Sequence, residues 1–420
     1  MRNSAGDFDW SDVVKILYIC PFAHDLASYS FMARYESEAL SKVADVELLT
    51  FKGLLDNAPI ALKQWQARQN LGILTPMYYL ACLMRETRYT RMFAKLLEYF
   101  LTVWVAVKMR KDYDVLHLRE GDPFLFMLHL INSFQSGCKW AVVLIGAELV
   151  EQSAVVCKSP RQFFGKALLW MVNGSFWKPV FERSSRQNKF IYLTENVAIK
   201  NKYGDVLSNV ICLPLGTNKV ERIISKTEAR QHLGIPQEGY VFLCFGSPHN
   251  GKDWEVIYKA LEGTNILLLQ AGDQRLNDRS LNVQLPNSVY LSALYETNIR
   301  IHNKYISEAE KPYYFYASDA IILSYTKQFL GNASQLWEAC RFELPVIISD
   351  NEQFRNIIAN YKVGLVFKAQ DADSLRETIG CFIDLSEEQE LEFKDNCKRF
   401  NQDYSMDRWA KGCLLAYREL

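Results

Sequence analysis

The chain has 420 residues, of which 49% are hydrophobic and 23% charged, and Lys+Arg and Asp+Glu both number 48. That length exceeds what one hydrophobic core usually organises, so a folded protein of two domains is expected. A formal net charge of zero gives no support for generic nucleic-acid binding. Ten cysteines without a C-x-x-C pair indicate reduced thiols in a cytosolic protein rather than a disulfide framework or a zinc site.

The first residues, MRNSAGDFDWSDVVK, are polar and lack the apolar core of a signal peptide, so a cytoplasmic location is expected. The longest apolar stretch, residues 96–107, is about half a bilayer span and contains Glu98, which favours a buried helix over a transmembrane one. Basic and aromatic residues mix around this stretch and again at 162–183. That mixture keeps open a peripheral contact with the inner face of the cell membrane.

Short apolar runs alternate with helical patterns along the chain, which predicts βαβ units and parallel sheets. In the first half the predicted strands are KILYIC (15–20), VELLTF (46–51), VLHLR (115–119), WAVVLIG (140–146) and FIYLT (190–194). Mainly helical insertions are predicted at 54–110 and 151–187. In the second half the predicted strands are VICLPL (210–215), YVFLCFG (240–246), ILLLQAG (266–272), VYLSA (289–293), AIILSY (320–325), VIISD (346–350) and VGLVF (363–367).

The expected organisation is one domain over residues 1–200, a second over 201–398, and a final helix over 399–420 that packs back on the first domain. Both domains are predicted to be doubly wound, Rossmann-like α/β folds. Such sheets bind ligands outside the carboxyl ends of their strands, where glycine-rich turns and helix starts meet.

Three strand ends in the second half attract attention. One strand ends at Gly246, and a Ser-Pro-His-Asn-Gly loop then leads to Lys252 at a helix start, where a cation beside backbone N–H groups suits a pyrophosphate. A second strand ends at Tyr325 and leads through QFLGNAS to a helix that contains Glu338, whose carboxylate suits ribose hydroxyls. The third is the turn PLGTN around Gly216. Singly, each is as readily a surface turn or a solvated helix residue.

Together, these segments have the order and spacing of one family. Residues 188–390 resemble the donor domain of GT-B glycosyltransferases, particularly the family 4-like enzymes, the glycosyl transferases group 1. The matching segments are PLGTN (214–218), GSPHNGKD (246–253), KPYYFYASDAIILSY (311–325) and GNASQLWEACRFELPVI (331–347). The first half matches only in outline. The resemblance implies that the domain at 1–200 binds the acceptor, that the domain at 201–398 binds the nucleotide-sugar, and that the two face a cleft.

The resemblance implies that Lys252 neutralises the donor diphosphate, that Glu338 holds the ribose, and that backbone N–H groups of 331–334 cradle the distal phosphate or sugar. No metal ion or other cofactor is expected, because fixed donors and a helix N-terminus stabilise the charge of the leaving diphosphate. The predicted donor-binding residues are Gly216, Gly246, Ser247, His249, Lys252, Gly331, Asn332, Ala333, Ser334 and Glu338.

The sequence departs from the family at two positions. Ser247 stands where many members carry Arg, and His249 is expected to take over part of that role. Retaining members commonly show two Glu eight positions apart, whereas the partner position of Glu338 is Leu330. The stereochemical outcome therefore stays open.

The first half supplies candidates for a catalytic base. An inverting enzyme needs a base for the acceptor hydroxyl, and Glu148, Asp25 and His24 qualify by their place at strand ends. Glu120 and Asp122 qualify in the same way. His117 falls within a strand and is expected in the core, and Arg119 is expected at a strand end, where a phosphate can be bound.

The function predicted is a hexosyltransferase-type, metal-independent glycosyltransferase that uses a UDP- or GDP-sugar. Its partners would be the nucleotide-sugar and a lipid-linked or polysaccharide acceptor in cell-surface glycan biosynthesis, with no nucleic acid. The alternative is a non-catalytic GT-B-fold partner subunit or nucleotide-sugar-binding protein. A sugar-nucleotide epimerase or a phosphorylase fits the motifs less well.

Overall fold

A computed structural model describes most of the chain. The described residues are 13–24, 27–54, 61–86, 90–121, 124–144, 178–195, 200–201, 207–214, 216–220, 222–247, 251–272, 299–327, 329 and 333–420. Contacts divide the chain into two compact units, Met1–Gly216 with Met406–Leu420, and Thr217–Ser405. The sequence predicted divisions at residues 200 and 398.

The described strands form two parallel sheets, one in each unit. The first sheet has the order β3-β2-β1-β4-β5-β6-β7 and the second β10-β9-β8-β11-β12-β13. The strands are β1 (Lys15–Cys20), β2 (Asp45–Thr50), β3 (Gln64–Gln66), β4 (Val115–Leu118), β5 (Lys139–Leu144), β6 (Lys189–Thr194), β7 (Val210–Cys212), β8 (Val241–Phe245), β9 (Leu267–Ala271), β10 (Ile299–His302), β11 (Ala320–Leu323), β12 (Val346–Ser349) and β13 (Gly364–Phe367).

Helices separate most of these strands, as parallel connections require. The described α-helices are α1 (Ala27–Ser41), α2 (Thr75–Arg85), α3 (Arg91–Met109), α4 (Leu125–Asn132), α5 (Lys178–Gln187), α6 (Lys226–Leu233), α7 (Trp254–Leu261), α8 (Lys311–Ala317), α9 (Ser334–Arg341), α10 (Glu352–Tyr361), α11 (Ala372–Ile383), α12 (Glu387–Asp403) and α13 (Met406–Tyr417). Among the described helices, none combines the length and hydropathy needed to span a membrane.

Burial explains why the apolar runs became strands. β4, β11 and β12 are buried at every residue, which is the pattern of sheets covered on both faces. In the first unit, α13 returns to the core that contains β1, where Trp409 and Tyr417 are buried with Tyr18. In the second, Phe242 of β8 and Phe382 of α11 belong to one core.

Local signals set several helix starts. Ser225 begins α6 by accepting a hydrogen bond from the backbone N–H of Glu228, and Gly234 ends it with a left-handed φ of 63°. Asp371 begins α11 in the same way, because its side chain accepts a hydrogen bond from the Ser374 N–H at 3.0 Å.

The structure corrects one strand assignment. The run VICLPL was expected in the second half, but its strand, β7, pairs with β6 of the first sheet, with Tyr192 opposite Val210 and Thr194 opposite Cys212. An apolar run predicts a strand without specifying its neighbour. The short strands β3 and β10 were not predicted, and the predicted strand VYLSA lies outside the described residues.

Candidate active site

The strand order of the second unit identifies its ligand-binding edge. The chain runs from β8 outward to β9 and β10 on one side, and from β11 outward to β12 and β13 on the other. The carboxyl ends of β8 and β11 therefore flank a topological switch point, where α/β sheets bind ligands. We call residues 246–252 the first loop and 324–333 the second loop of this edge, of which the structure describes 246–247, 251–252, 324–327, 329 and 333.

Two glycines shape the first loop. Gly246 has a φ of 91°, and its N–H donates to the carbonyl of Ala271 at 2.8 Å. Gly272 has a φ of 149°, and a Cβ built on it would lie 2.5 Å from the Gly246 carbonyl oxygen. Because side chains are excluded at both positions, the backbones at the ends of β8 and β9 touch and leave the loop edge open.

Lys252 is anchored to the end of β11 by its backbone. It forms an antiparallel bridge with Tyr325, while Asp253 N–H donates to the Ser324 carbonyl at 3.0 Å. Its Nζ donates to the carbonyl of Phe245 at 2.7 Å. Desolvation of this partly buried ammonium lowers the pKa of Lys252 to about 8. The structure thus holds a poorly solvated cation across the ends of β8 and β11.

Helix α9 begins at the same edge. Its N-cap residue Ala333 forms no side-chain cap hydrogen bond, so the N–H groups of the first turn are not taken by a capping side chain. Ser334 at the helix start is exposed. The Leu336 N–H donates to the Ala333 carbonyl at 2.8 Å, and the helix start attracts anions through its other first-turn N–H groups and its dipole.

Side chains from the first loop and from α9 both approach Gly246. A Cβ built on Gly246 would lie 3.1 Å from Lys252 Nζ and 3.0 Å from Gln335 Nε2 of α9. Of the predicted donor residues, the structure therefore brings Gly246, Lys252 and the start of α9 at Ala333 and Ser334 to one place. Ser247 directly follows Gly246 and is partly buried. Sequence reasoning did not find Gln335.

Glu338 lies one turn further along α9 and has cationic partners. Its carboxylate is 3.3 Å from Arg341 Nη1 and 3.4 Å from Lys311 Nζ, and Arg341 also contacts Glu308 at 3.1 Å. The Glu338 side chain is 18% exposed. It is thus an accessible, charge-compensated carboxylate, and ribose binding by Glu338 stays a prediction.

Gly216 lies where the backbone packs closely against Met406. It is buried, and a Cβ on it would lie 2.8 Å from Met406 Cα. This close packing within the first unit explains the glycine without a ligand. Its predicted contact with the donor stays a prediction.

The first unit has its own switch point. The chain runs from β1 to β2 and β3 on one side, while β4 to β7 lie on the other. His24 follows β1 at this edge, and its Nε2 is 3.5 Å from Oε1 of Glu98 in α3. Glu98 is fully buried and also pairs with Arg85 of α2. Both ring nitrogens of His24 are buried without a hydrogen-bond partner in the described part of the chain.

The end of β4 carries a buried ion pair. Arg119 binds the Glu36 carboxylate, which also accepts from the Tyr18 hydroxyl at 2.6 Å. Burial alone would lower the pKa of Arg119, but the neighbouring acidic groups, Glu36 first among them, together raise it. The partner of Arg119 is therefore a carboxylate of its own unit. Glu120 is buried beside it with a φ of 61°, a strained conformation for this residue.

His117 is a core residue, as predicted. It is fully buried, and its Nδ1 lies 2.6 Å from the Tyr417 hydroxyl. Desolvation lowers the pKa of His117 to about 3, so the ring is neutral at physiological pH.

Several predicted residues lie outside the described part of the chain: Asp25, Asp122, Glu148, His249, Gly331 and Asn332. Within the described residues, no group of three or more His, Cys, Asp or Glu side chains is arranged to hold a metal ion.

Comparisons with known proteins agree with this fold. Sucrose-phosphate synthase from Thermosynechococcus elongatus is similar at a TM-score of 0.67 and 14% identity, over 97% of this chain and 98% of that one. Anabaena HepE in complex with UDP-glucose has a TM-score of 0.65 at 13% identity, over 97% and 100% of the two chains. WaaG, a glycosyltransferase involved in lipopolysaccharide biosynthesis, has a TM-score of 0.58 at 15% identity, over 96% and 98%.

A comparison with curated protein sequences finds no significant match. Residues 225–400 match the family model described as glycosyl transferases group 1. This segment contains both loops of the second switch point, from Gly246 to Glu338. Residues 225–400 of the second unit thus match the glycosyl transferases group 1, and the two parallel-sheet units have a GT-B fold.

Proposed function

We propose that this glycosyltransferase transfers a hexose from a UDP- or GDP-sugar to a lipid-linked or polysaccharide acceptor in the biosynthesis of a cell-surface glycan. The observation that carries the proposal is the convergence of Lys252 and the uncapped start of α9 above Gly246. A cation and free N–H groups at one strand edge suit a diphosphate. HepE, which has a similar fold, is known in complex with UDP and with UDP-glucose, and WaaG acts in lipopolysaccharide biosynthesis.

The chemistry follows from where charge develops. As the bond between the sugar and the diphosphate breaks, the leaving nucleotide diphosphate gains negative charge. Lys252 and the N–H groups of α9 are already fixed near that charge, so they stabilise it without reorganising and without a resident metal ion. Glu338 would bind the ribose hydroxyls with its exposed carboxylate edge while Arg341 and Lys311 hold it in place.

On the acceptor side, His24 is the described candidate for the base. It lies at the switch point of the first sheet, and Glu98 is within reach to hold the imidazolium that would form on proton uptake. The two ring nitrogens of His24 are buried without a hydrogen-bond partner in the described part of the chain, and an acceptor hydroxyl would provide such a partner. Asp25 and Glu148 remain alternative bases.

The test combines binding with turnover. Thermal shift with UDP, GDP and their glucose, galactose and mannose derivatives should show stabilisation of about 2.7 kcal/mol at 100 times Kd. Lys252→Ala should abolish most of this shift, whereas Lys259→Ala, which changes an exposed lysine of α7, should retain it. If no nucleotide stabilises the wild-type protein, the proposed donor class is wrong.

Turnover distinguishes an enzyme from a binding protein. Release of UDP or GDP from the stabilising nucleotide-sugar, measured with and without acceptor lipids, should be lost in Lys252→Ala. His24→Ala should lower transfer by about 100- to 10,000-fold and leave nucleotide affinity unchanged. Binding without any turnover would instead favour the non-catalytic nucleotide-sugar-binding protein.

A further inference from the structure

Gln335 has a fixed orientation at the start of α9. Its side-chain Oε1 accepts a hydrogen bond from the Tyr325 hydroxyl at 3.1 Å. Tyr325 is itself buried at the end of β11 and stacks on Phe329 with a ring separation of 4.2 Å. Because the carbonyl end of the amide is held by a buried hydroxyl, its NH₂ end is directed toward the loop edge.

That NH₂ group approaches Lys252. Gln335 Nε2 and Lys252 Nζ lie 3.0 and 3.1 Å from the same point, the position of an imagined Cβ on Gly246. Within the described residues, Nζ has the Phe245 carbonyl as its acceptor, and an ammonium carries three N–H donors. Two donors that face one point over a glycine are suited to a shared anionic acceptor.

We propose that Gln335 is a phosphate-binding residue, whose Nε2–H donates to an oxygen of the donor diphosphate beside Lys252 while Tyr325 holds its amide in place. This inference rests on the proposed function. Among the described residues of the first loop, 246–247 and 251–252, Lys252 is the one cationic side chain, so further donors to the diphosphate must come from elsewhere. A neutral donor from α9 supplies part of that hydrogen bonding.

The experiment measures the dissociation constants of UDP, GDP, uridine and inorganic pyrophosphate by calorimetry. Gln335→Leu should weaken nucleoside diphosphate binding by about tenfold, the effect of one hydrogen bond to a charged group. Gln335→Glu should weaken it by about 100-fold or more, because a carboxylate would face the diphosphate. Tyr325→Phe should weaken nucleoside diphosphate binding by about threefold, since the Gln335 amide remains but loses the hydrogen bond that orients it.

The control is Gln231→Leu, which changes an exposed glutamine of α6 in the same unit. It should bind every probe like the wild type. Uridine, which lacks phosphate, should be insensitive to Gln335→Leu, and pyrophosphate should be sensitive. Circular dichroism melts establish that each variant is folded.

The outcomes separate the two proposals. If Lys252→Ala loses UDP but Gln335→Leu and Gln335→Glu bind as the wild type does, the role of Gln335 is overturned and the donor site stands. If Gln335→Leu weakens uridine as much as UDP, Gln335 acts on the nucleoside or the local fold, and the inference is again wrong. If the wild type binds neither UDP nor GDP, the proposed function itself fails.

Discussion

If Lys252 binds the donor as proposed, donor binding should depend on pH. Desolvation lowers the pKa of Lys252 to about 8 from an ordinary value of 10.5, so the free protein loses this charge as the pH rises through 8. A bound diphosphate favours the ammonium and raises the pKa again, so binding above pH 8 must take up a proton. We expect UDP affinity to be constant below about pH 7.5 and to fall by up to about tenfold per unit above pH 8.

Calorimetry between pH 6.5 and 9.5 measures this dependence. Lys252→Arg is the matched control, because its guanidinium stays charged over the whole range. The fall above pH 8 should be absent in that variant. An equally steep fall in Lys252→Arg would assign the titration to another group.

Substitution of Arg119 tests whether this residue stabilises the fold or contacts a substrate. The sequence suggested that it touches a phosphate, whereas the structure buries it against Glu36. Arg119→Met leaves a buried carboxylate without its cation, and we expect a loss of about 3–5 kcal/mol in the free energy of unfolding, measured with urea. The double variant Arg119→Met/Glu36→Leu should recover most of it. If Arg119→Met leaves stability unchanged but abolishes turnover, Arg119 contacts the substrate and the structural assignment is wrong.

Individual site residues differ in how far sequence predicts them. Lys252 and Glu338 were singled out because they occupy motif positions beside glycine-rich loops, and their donor-binding roles stay predictions. Gln335 and Glu98 were not singled out, because each is placed by a contact with a residue distant in the sequence or in another element. Gln335 contacts Tyr325, and Glu98 contacts His24. The one local signal for Glu98 was a carboxylate inside an apolar run.

Among the elements, the ends of β8 and β9 depend on two glycines. A Cβ at Gly272 would lie 2.5 Å from the Gly246 carbonyl oxygen, and its φ of 149° is unfavourable for any L side chain. Gly272→Ala must therefore move the Gly246 loop and with it the point where Lys252 and Gln335 meet. We expect a loss of about 1–3 kcal/mol in stability and weaker UDP binding.

Gly380 in α11 provides the opposite case. An added Cβ there meets no atom within 4 Å, and its φ is not in the left-handed range. Gly380→Ala should stabilise the protein by about 1 kcal/mol and leave UDP binding unchanged. Thermal melts and calorimetry of the two variants test both expectations, and a stable, fully binding Gly272→Ala would refute the first.

The strands show where local pattern suffices. Buried strands such as β1 and β12 were predicted within about two residues, because a continuous apolar run suits no other environment as well. β3, with the sequence QWQ, and β10, with IRIH, were missed because short, partly polar edge strands lack that pattern. β7 was assigned to the wrong sheet, since pairing with Tyr192–Thr194 is a long-range property.

At the scale of the whole chain, the two sheets and their doubly wound character followed from the order of the strands. The sequence also predicted that the C-terminal helix packs back on the first domain, and contacts place residues 406–420 in the first unit. The extension of the first sheet by β7 to Cys212 was not predicted, because strand pairing depends on tertiary contacts that no run of residues encodes locally.

The first unit also exposes an apolar stripe that bears on the proposed acceptor. Pro76, Tyr79, Leu80 and Leu83 are spaced to lie on one face of α2, and all are exposed. We call these four residues the α2 surface. The guanidinium of Arg68 lies 5.8 Å from the Tyr79 ring centroid. An apolar helix face beside a cation suits the interface of an anionic membrane, where a lipid-linked acceptor would be reached.

We therefore expect the protein to co-sediment with vesicles that contain anionic phospholipid, and to do so less at high salt. Leu80→Ser/Leu83→Ser should weaken this binding at least tenfold, because two side chains lose their apolar contact with the bilayer. The matched control, Leu391→Ser/Leu415→Ser, changes two leucines of comparable exposure on α12 and α13 and should bind like the wild type. A wild-type protein that stays in the supernatant, or a control that loses binding equally, would show that the α2 surface is not a membrane contact.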